Sequence, residues 1–490
     1  MGAAQGEDRH AVRARRHARR ARLSRPTVVA AAALLLIALA VRLLAVAATP
    51  HYAPGPGKDD RDYDRHACWV ALHGVPPARL PPFPAGPGSC AATAAAAAHR
   101  GLATAYRPPL WPVVLGGAYA LDPAHRWTAG RLLGAAIGTV AVGLTGAIAA
   151  EVWGAGVGLA ALALAAVFLP LVLDGMSLIS EPLFVIFELA AALCVLRHRR
   201  ARTLRWAVAA GVLVGLASLT RSTGPVLALA LLAGLWPRWR AMAAFAAAAV
   251  LVVAPWTIRN AHVLHAFVPI STETGVTLLG TYNDAARTLP GCAGCWVLLR
   301  EHPQTRPLAR RIRVLDELGR ERLADRQVRS FLARHPLYPL RVAWGNTLRL
   351  LELGGAKRTR FGATTIDVPP RAAIWAAREL WLVCALALIG LAAGLWRRRP
   401  RLAGARRRPA PEAPVAAPRG RPPAPTAGAS LRRAPGWLVA LPVVLWLFTA
   451  LVQSETPRFR APLDPFLLIA AALGLAALSR AAAPKRAAAG

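Results

Sequence analysis

Long apolar segments recur along this 490-residue chain, with shorter polar stretches between them. An apolar run of about 18 residues or more can cross a bilayer, and in lipid such a run satisfies its backbone groups as a helix. The pattern therefore predicts an all-α polytopic membrane protein with about ten transmembrane helices. They are expected at residues 27–48, 130–150, 156–173, 180–196, 206–219, 223–235, 241–257, 372–396, 436–452 and 465–479.

The polar stretches predict how the chain is divided. We expect a basic cytoplasmic tail at 1–26, an N-terminal membrane module at 27–257 with an external loop at 49–106, and a small α-rich external section at 258–371. A transmembrane helix at 372–396 precedes a disordered Arg/Pro linker in the cytoplasm at 397–435, a C-terminal transmembrane hairpin at 436–480 and a tail at 481–490. Pro-rich and Arg-rich linkers of this kind do not bury a core.

Basic residues predict the orientation. The segment RHRRARTLR at 197–205 is expected in the cytoplasm, because Lys and Arg concentrate on that side of membrane proteins. Counting helices from it places 49–106 outside, and residues 107–121 then begin and end outside as a re-entrant or interfacial helix. Ala45-Val46-Ala47 resembles a signal-peptidase site, but the first apolar run is longer than a signal-peptide core and favours an uncleaved anchor.

Composition agrees with a membrane location. The chain is 55% hydrophobic and has a mean hydropathy of +0.39. Its formal charge of +36 is best explained by Arg at helix ends that face anionic lipid, rather than by nucleic-acid binding. Cys194 and Cys384 fall inside apolar runs, whereas an external location permits disulfides for Cys68 with Cys90 and for Cys292 with Cys295.

Candidate chemistry begins at KDDRDYDRHA, residues 58–67, where four aspartates follow the first apolar run. A solvated acidic loop is the simpler interpretation. The predicted topology, however, brings further polar residues to the same external face: Arg107, Glu181, Arg221, Arg259, Asn260, Arg458 and Arg460. Guanidinium groups bind phosphate in a bidentate way, and carboxylates act as general bases or metal ligands. Because no nucleotide-binding signature occurs, an activated donor at this face is expected to be lipid-linked.

Several short motifs follow one another in a characteristic order. They are Asp59-Asp60-Arg61-Asp62-Tyr63 through Ala67, Arg107-Pro108-Pro109-Leu110, Gly130-Arg131-Leu132, Ser180 to Phe184, Gly215 to Arg221, Pro255 to Asn260, Phe267 to Thr272, and Arg458-Phe459-Arg460-Ala461-Pro462. Their order resembles bacterial GT-C class membrane glycosyltransferases, in the branch of protein O-mannosyltransferases and the lipid A aminoarabinose transferase. Phe459 departs from the Tyr common in that family, and the external section is short for a carbohydrate-binding domain.

The resemblance implies transfer of a sugar, with inversion, from a polyprenyl phosphate to a hydroxyl of a lipid, glycan or protein on the extracytoplasmic face of the cell membrane. Asp59 matches the catalytic position, with Asp60 as the alternative, and would be the general base. Substrate and phosphate would be bound by Tyr63, Arg107, Glu181, Arg221, Arg259, Asn260, Arg458 and Arg460. A divalent metal at Asp59 and Glu181 is a further expectation. Asp62 and Asp64 are expected to cap or orient the helix that follows.

Two other functions fit the same composition. A transporter or flippase for an anionic lipid-linked substrate would show inverted repeats, or broken helices with charges near the middle of the membrane. No such repeat is visible, and the predicted charges gather at one face. A non-catalytic membrane scaffold would not require acids and arginines to converge there.

Overall fold

The computed structural model describes residues 24–55, 58–74, 76, 79–80, 90, 102–291, 294–396, 434–452 and 456–482. Nearly all of the predicted tails at 1–26 and 481–490, the linker at 397–435 and much of the loop at 49–106 lie outside these residues, as does Cys292.

The described chain is mainly helical. Its helices are α1 (Arg25–Ala47), α2 (Asp59–His73), α3 (Leu110–Leu121), α4 (Arg126–Trp153), α5 (Ala155–Val167), α6 (Leu169–Gly175), α7 (Glu181–Ala201), α8 (Leu204–Thr220), α9 (Gly224–Leu235), α10 (Trp239–Leu264), α11 (Thr274–Thr281), α12 (Asp284–Thr288), α13 (Arg306–Arg313), α14 (Glu317–Arg334), α15 (Tyr338–Leu350), α16 (Ala356–Thr364), α17 (Pro370–Trp396), α18 (Gly436–Val452) and α19 (Asp464–Ala482). A 3₁₀ helix at Pro457–Arg460 precedes α19, and the two-residue strands β1 (Arg79–Leu80) and β2 (Leu102–Ala103) pair antiparallel.

Nine of the predicted apolar spans each coincide with a helix, and the span predicted at 156–173 covers the two helices α5 and α6. The count of ten spans is not confirmed. Among the described residues, five helices are long and apolar enough to cross a membrane: α1, α4, α10, α17 and α19. A sixth span results if α5 and α6, which meet at a 55° bend, are taken as one. The apolar helices α3, α8, α9 and α18 are shorter, and α7 carries Glu188 and several basic residues in its 21 residues.

The short helix predicted at the mouth of the site is α3. Its 12 residues rise about 18 Å, which is less than the roughly 30 Å of a hydrocarbon core. Trp111, Leu115 and Tyr119 are fully buried in it, in a cluster that also holds Tyr63 and Ala67 of α2. The apolar face of α3 is therefore covered by α2, which fixes the position of Arg107 just before α3.

Residues 258–371, predicted to lie outside the membrane, are mainly helical. Helix α10 runs through Pro255 to Leu264 and so includes the first residues of this section. Helices α11 to α16 follow, and α11, α14 and α15 enclose a core of their own built on Tyr282, Phe331 and Tyr338. Charged segments with interspersed apolar residues thus form amphipathic helices here, as the pattern at 300–341 predicts.

A disulfide joins Cys68 in α2 to Cys90, with the two Cα atoms 5.0 Å apart. It ties Cys90, within the stretch 49–106, to the helix that carries the acidic cluster. Cys295 is also disulfide-bonded, while Cys194 and Cys384 are free thiols, as their positions in apolar runs predict.

The last two long helices approach each other closely because both carry glycine at the crossing. A Cβ at Gly474 of α19 would lie 2.0 Å from the Leu386 carbonyl oxygen of α17, and one at Gly390 would lie 2.6 Å from the Ala470 carbonyl oxygen. Small residues at such crossings allow backbones to pack directly in a membrane.

We predict that Gly474→Ala destabilises the protein by about 1–3 kcal/mol, because the added methyl group forces α17 and α19 apart. Gly436→Ala, at the start of α18, is the matched control, since nothing lies within 4 Å of its added Cβ. Thermal unfolding of the two variants in detergent measures the difference. Equal transition midpoints would contradict the assigned crossing.

Candidate active site

Helix α2 begins within the acidic cluster. Asp59, Asp60 and Asp62 occupy its first turn, where the helix dipole favours negative charge, and Gly74 ends it with a φ of 72°. Successive residues of a helix point in different directions. The neighbouring acids Asp59 and Asp60 consequently have different partners.

Asp59 lies between two arginines from distant parts of the chain. Arg107 Nη2 donates to its Oδ1 at 2.5 Å, and Arg458 Nη2 donates to its Oδ2. The Asp59 side chain is 32% exposed, whereas Arg107 and Arg458 are mostly buried. The carboxylate therefore sits at the open side of the arginine pair.

Arg107 is shared by three carboxylates. Besides Asp59, its Nε donates to Asp62 Oδ2 at 2.8 Å and its Nη1 donates to Glu273 Oε2 at 3.0 Å. The Ser222 hydroxyl donates to the other oxygen of Glu273 at 2.5 Å. Arg107 thus links α2, the start of α3 and the residue before α11.

A second ion pair, between Arg221 and Glu181, is connected to Asp59 through Arg458. Arg221 Nη1 lies 2.9 Å from Glu181 Oε1, and Arg458 Nε lies 3.5 Å from the same oxygen. Arg221 also donates to the Ser180 hydroxyl, which is 3.1 Å from the Tyr63 hydroxyl. Both guanidinium groups lie against the Phe459 ring, at 5.5 and 4.7 Å from its centroid.

The ends of helices hold these side chains in place. Glu181 starts α7, Arg221 follows α8, and Arg458 lies in the 3₁₀ helix between α18 and α19. Arg65 Nη1 also lies 3.8 Å from Asp62 Oδ1. The four carboxylates Asp59, Asp62, Glu181 and Glu273 face the three guanidinium groups of Arg107, Arg221 and Arg458. We call these seven residues the charge cluster.

The arginines dominate the protonation of the acids. Burial alone would raise the pKa of Asp59, but the charges and hydrogen bonds of Arg107 and Arg458 together outweigh it and hold that pKa well below its usual range. Arg107 and His66 lower the pKa of Asp62 in the same way, against its burial. Burial raises the pKa of the Tyr63 phenol to about 12. Asp59 and Asp62 are therefore ionised, and the Tyr63 phenol is neutral.

Asp60 is outside the charge cluster. It is 0% exposed, and its Oδ2 accepts a hydrogen bond from the Tyr52 hydroxyl at 2.9 Å. Asp367, in the turn before α17, binds Lys58 Nζ and the Gly55 backbone N–H. Burial, a hydrogen bond with Asp367 and the charge of Asp367 raise the pKa of Asp60 to about 7.

Three other predicted residues make structural contacts elsewhere. Arg259 donates to the Thr104 carbonyl and to the side chain of Asn260, whose amide donates to the Val268 carbonyl. Arg460 donates to Asp464 Oδ1 at 2.6 Å and to the Leu350 carbonyl. Arg460 and Arg458 both line a cavity beside the cluster, together with Asp174 and Glu352.

The structure adds acids that the sequence prediction did not assign to the site. Glu273 directly follows the Phe267 to Thr272 motif, and this adjacency was the available signal for it. Asp62, predicted to cap a helix, is instead bound to Arg107. Asp64 is buried against Tyr119, Arg126 and Trp127, where it accepts hydrogen bonds from all three.

The predicted metal pair does not fit a metal ion. The Arg458 guanidinium contacts both Asp59 and Glu181. Within the described ranges, no group of three or more His, Cys, Asp or Glu side chains could hold a metal ion. Neutralisation of the two acids therefore comes from arginine in this arrangement.

Comparisons with known proteins identify no family. No protein-family model matches the sequence, and no curated protein matches it. Among solved structures, the crystal structure of ArnT from Cupriavidus metallidurans in the apo state is similar, with 17% sequence identity and a TM-score of 0.31 over 92% of this chain and 78% of that chain. These values assign neither a shared fold nor an activity. Function has to be argued from the site itself.

We predict that stability falls as the pH rises from about 4 to 7, because Asp60 holds its proton more tightly in the folded protein than in the unfolded chain. Its folded pKa is about 7 against an ordinary 3.8, so the contribution is complete below pH 3.8 and is lost through pH 7. Asp60→Asn should flatten this dependence, since an amide does not ionise.

The measurement is the thermal transition midpoint of the full-length protein at several pH values. Asp325→Asn, which neutralises an exposed acid in α14 that pairs with Arg329, is the control and should retain the wild-type slope. The same slope in Asp60→Asn and wild type would contradict the assignment to Asp60.

Proposed function

We propose that this protein is a membrane glycosyltransferase. It transfers a sugar, with inversion, from a polyprenyl-phosphate donor to a hydroxyl of a lipid, glycan or protein acceptor on the extracytoplasmic face. The observation that carries the proposal is the convergence of Arg107, Arg221 and Arg458 on Asp59 and Glu181, from motifs that occur in the order typical of GT-C enzymes.

Asp59 is the general base in this proposal, and Asp60 is not. Asp59 is partly exposed and lies beside two guanidinium groups, whereas Asp60 is fully buried against Tyr52. A base must reach the proton that it removes, and a leaving phosphate must reach the arginines. Only Asp59 satisfies both conditions.

In the reaction, the acceptor oxygen attacks the anomeric carbon as its proton passes to the Asp59 carboxylate. The bond between that carbon and the phosphate oxygen breaks, and its electron pair leaves with the phosphate. Arg107 and Arg458 stabilise the charge that develops on this oxygen, because preorganised donors act most strongly where charge appears in the transition state. Tyr63 and Ser180, hydrogen-bonded to each other beside Arg221, supply hydroxyls for the sugar.

Helix α7 supports the external location of the site. Glu181 lies at its first residue and the basic segment 197–205 lies around its end, and 21 residues rise about 31 Å, close to the thickness of a hydrocarbon core. If the basic end is cytoplasmic, as Arg-rich ends usually are, the charge cluster faces the other side.

We predict that Asp59→Asn lowers the rate of sugar transfer by about 10²–10⁴-fold, the usual effect of losing a general base. The assay supplies a polyprenyl-phosphate sugar to vesicles that contain the protein and measures glycosylated acceptor by mass spectrometry. Asp325→Asn removes the same charge from an exposed position in α14 and should retain wild-type activity.

Undiminished transfer by Asp59→Asn would contradict the role of Asp59, and undiminished transfer by Asp59→Asn/Asp60→Asn would contradict a base within the acidic cluster. No transfer by wild type above that of protein-free vesicles would contradict the glycosyltransferase proposal. Movement of the prenyl lipid across the vesicle membrane without any new glycosidic product would favour a transporter or flippase instead.

A further inference from the structure

Every side-chain nitrogen of Arg107 already donates to a carboxylate. Nε donates to Asp62, Nη1 to Glu273 and Nη2 to Asp59. Arg458 is engaged in a similar way, since it donates to Asp59 and pairs with Glu181. Both guanidinium groups therefore already lie against acids, and the position that bridges the two is occupied by the Asp59 carboxylate.

The pairing of charges in the cluster points to the same position. Each of its guanidinium groups already has a carboxylate partner, so the cluster as it stands offers an anion no unpaired positive charge. When one carboxylate leaves the arginines, the negative charge beside them falls and the donors that this carboxylate had occupied become available. A phosphate carries its own negative charge and can occupy that place, because its oxygens accept the same bidentate hydrogen bonds.

Asp59 is the carboxylate best placed to leave. It alone contacts both Arg107 and Arg458 within the cluster, and its side chain is more exposed than those of the other three acids. Glu181, in contrast, is only 1% exposed and is held by Arg221 as well. Asp59 is also the first residue of α2, where a side chain turns without disturbing a buried helical face.

We propose that the phosphate of the donor displaces the Asp59 carboxylate from Arg107 and Arg458, so that donor binding itself frees the base. This inference rests on the function proposed above. It explains how the Asp59 carboxylate can be paired with two arginines before the donor binds and be available to an acceptor hydroxyl afterwards.

The electrostatics of Asp59 agree with this exchange. While both guanidinium groups pair with it, they hold its pKa well below the usual range, and a carboxylate in that state is a weak base. Once phosphate takes the two guanidinium groups, Asp59 loses their stabilisation and gains a negative neighbour, and both changes raise its pKa. Proton transfer from an acceptor hydroxyl is thereby confined to the donor-bound protein.

Loss of an ordinary binding residue weakens ligand binding, whereas the exchange predicts that neutralising Asp59 strengthens it. Asp59→Asn should bind farnesyl phosphate at least about tenfold more tightly than wild type, which corresponds to about 1.4 kcal/mol, while it fails to transfer sugar. Asp62→Asn removes a carboxylate from Arg107 but none from Arg458, and should tighten binding by a smaller factor, about threefold. Isothermal titration of the full-length protein in detergent micelles measures both.

Two controls assign the gain to the arginine pair. Asp325→Asn removes one negative charge outside the cluster and should bind farnesyl phosphate as wild type does. Asp59→Asn/Arg458→Gln lacks one of the freed guanidinium groups, and the gain should be lost in it. Size-exclusion profiles that match wild type show that each variant is folded, and Asp62→Asn provides an independent measurement if Asp59→Asn is not.

The outcomes separate this inference from the proposed function. If wild type binds farnesyl phosphate and both Asp59→Asn and Asp62→Asn bind it with the same or lower affinity, the displacement is overturned. The proposal of a prenyl-phosphate donor is then unaffected. No binding by wild type or by either variant would overturn the donor and the displacement together. An equal gain in Asp325→Asn would show that only the net charge matters and would also overturn the displacement.

Discussion

Arg107 is the charge on which the arrangement of the site depends. It lies just before α3, is mostly buried, and contacts carboxylates from the first turn of α2 and from the residue before α11. Asp59 in turn contacts Arg458, which lies between the last two helices, and Arg458 contacts Glu181 at the start of α7. Ion pairs that are taken out of water rarely add net stability over apolar packing. Their concentration at one end of apolar helices is therefore better explained by chemistry than by the needs of folding.

The helical geometry of α2 separates two adjacent acids into different roles. Asp59 faces the arginines, while Asp60, which points in a different direction from the helix, faces Tyr52 and Asp367. The Asp60 contacts tie the start of α2 to the turn before α17 and thereby support the position of Asp59. A single acidic run thus provides an ionised carboxylate at the open side of the site and a protonatable one inside the protein.

Packing of helices against each other places the side chains of the charge cluster. α3 is too short to span the membrane, but its buried Trp111, Leu115 and Tyr119 hold it against α2, and Arg107 is brought to Asp59 as a result. The close approach of α17 and α19 at Gly390 and Gly474 likewise orients the segment that carries Arg458.

The sequence by itself determined the helices, the short α3 and the candidate residues that carry charge. These follow from apolar periodicity and from the cost of charge in lipid, both of which act locally along the chain. It did not determine the partners. Asp367 lies more than 300 residues from Lys58, and Glu273 lies 166 residues from Arg107, so no local pattern reveals either pair. Only the tertiary structure gave Asp59 and Asp60 different partners, and only it showed which contacts Arg259, Asn260 and Arg460 make outside the charge cluster. It also set the Arg458 guanidinium against both Asp59 and Glu181. Long-range helix packing decides which charges share a small buried volume.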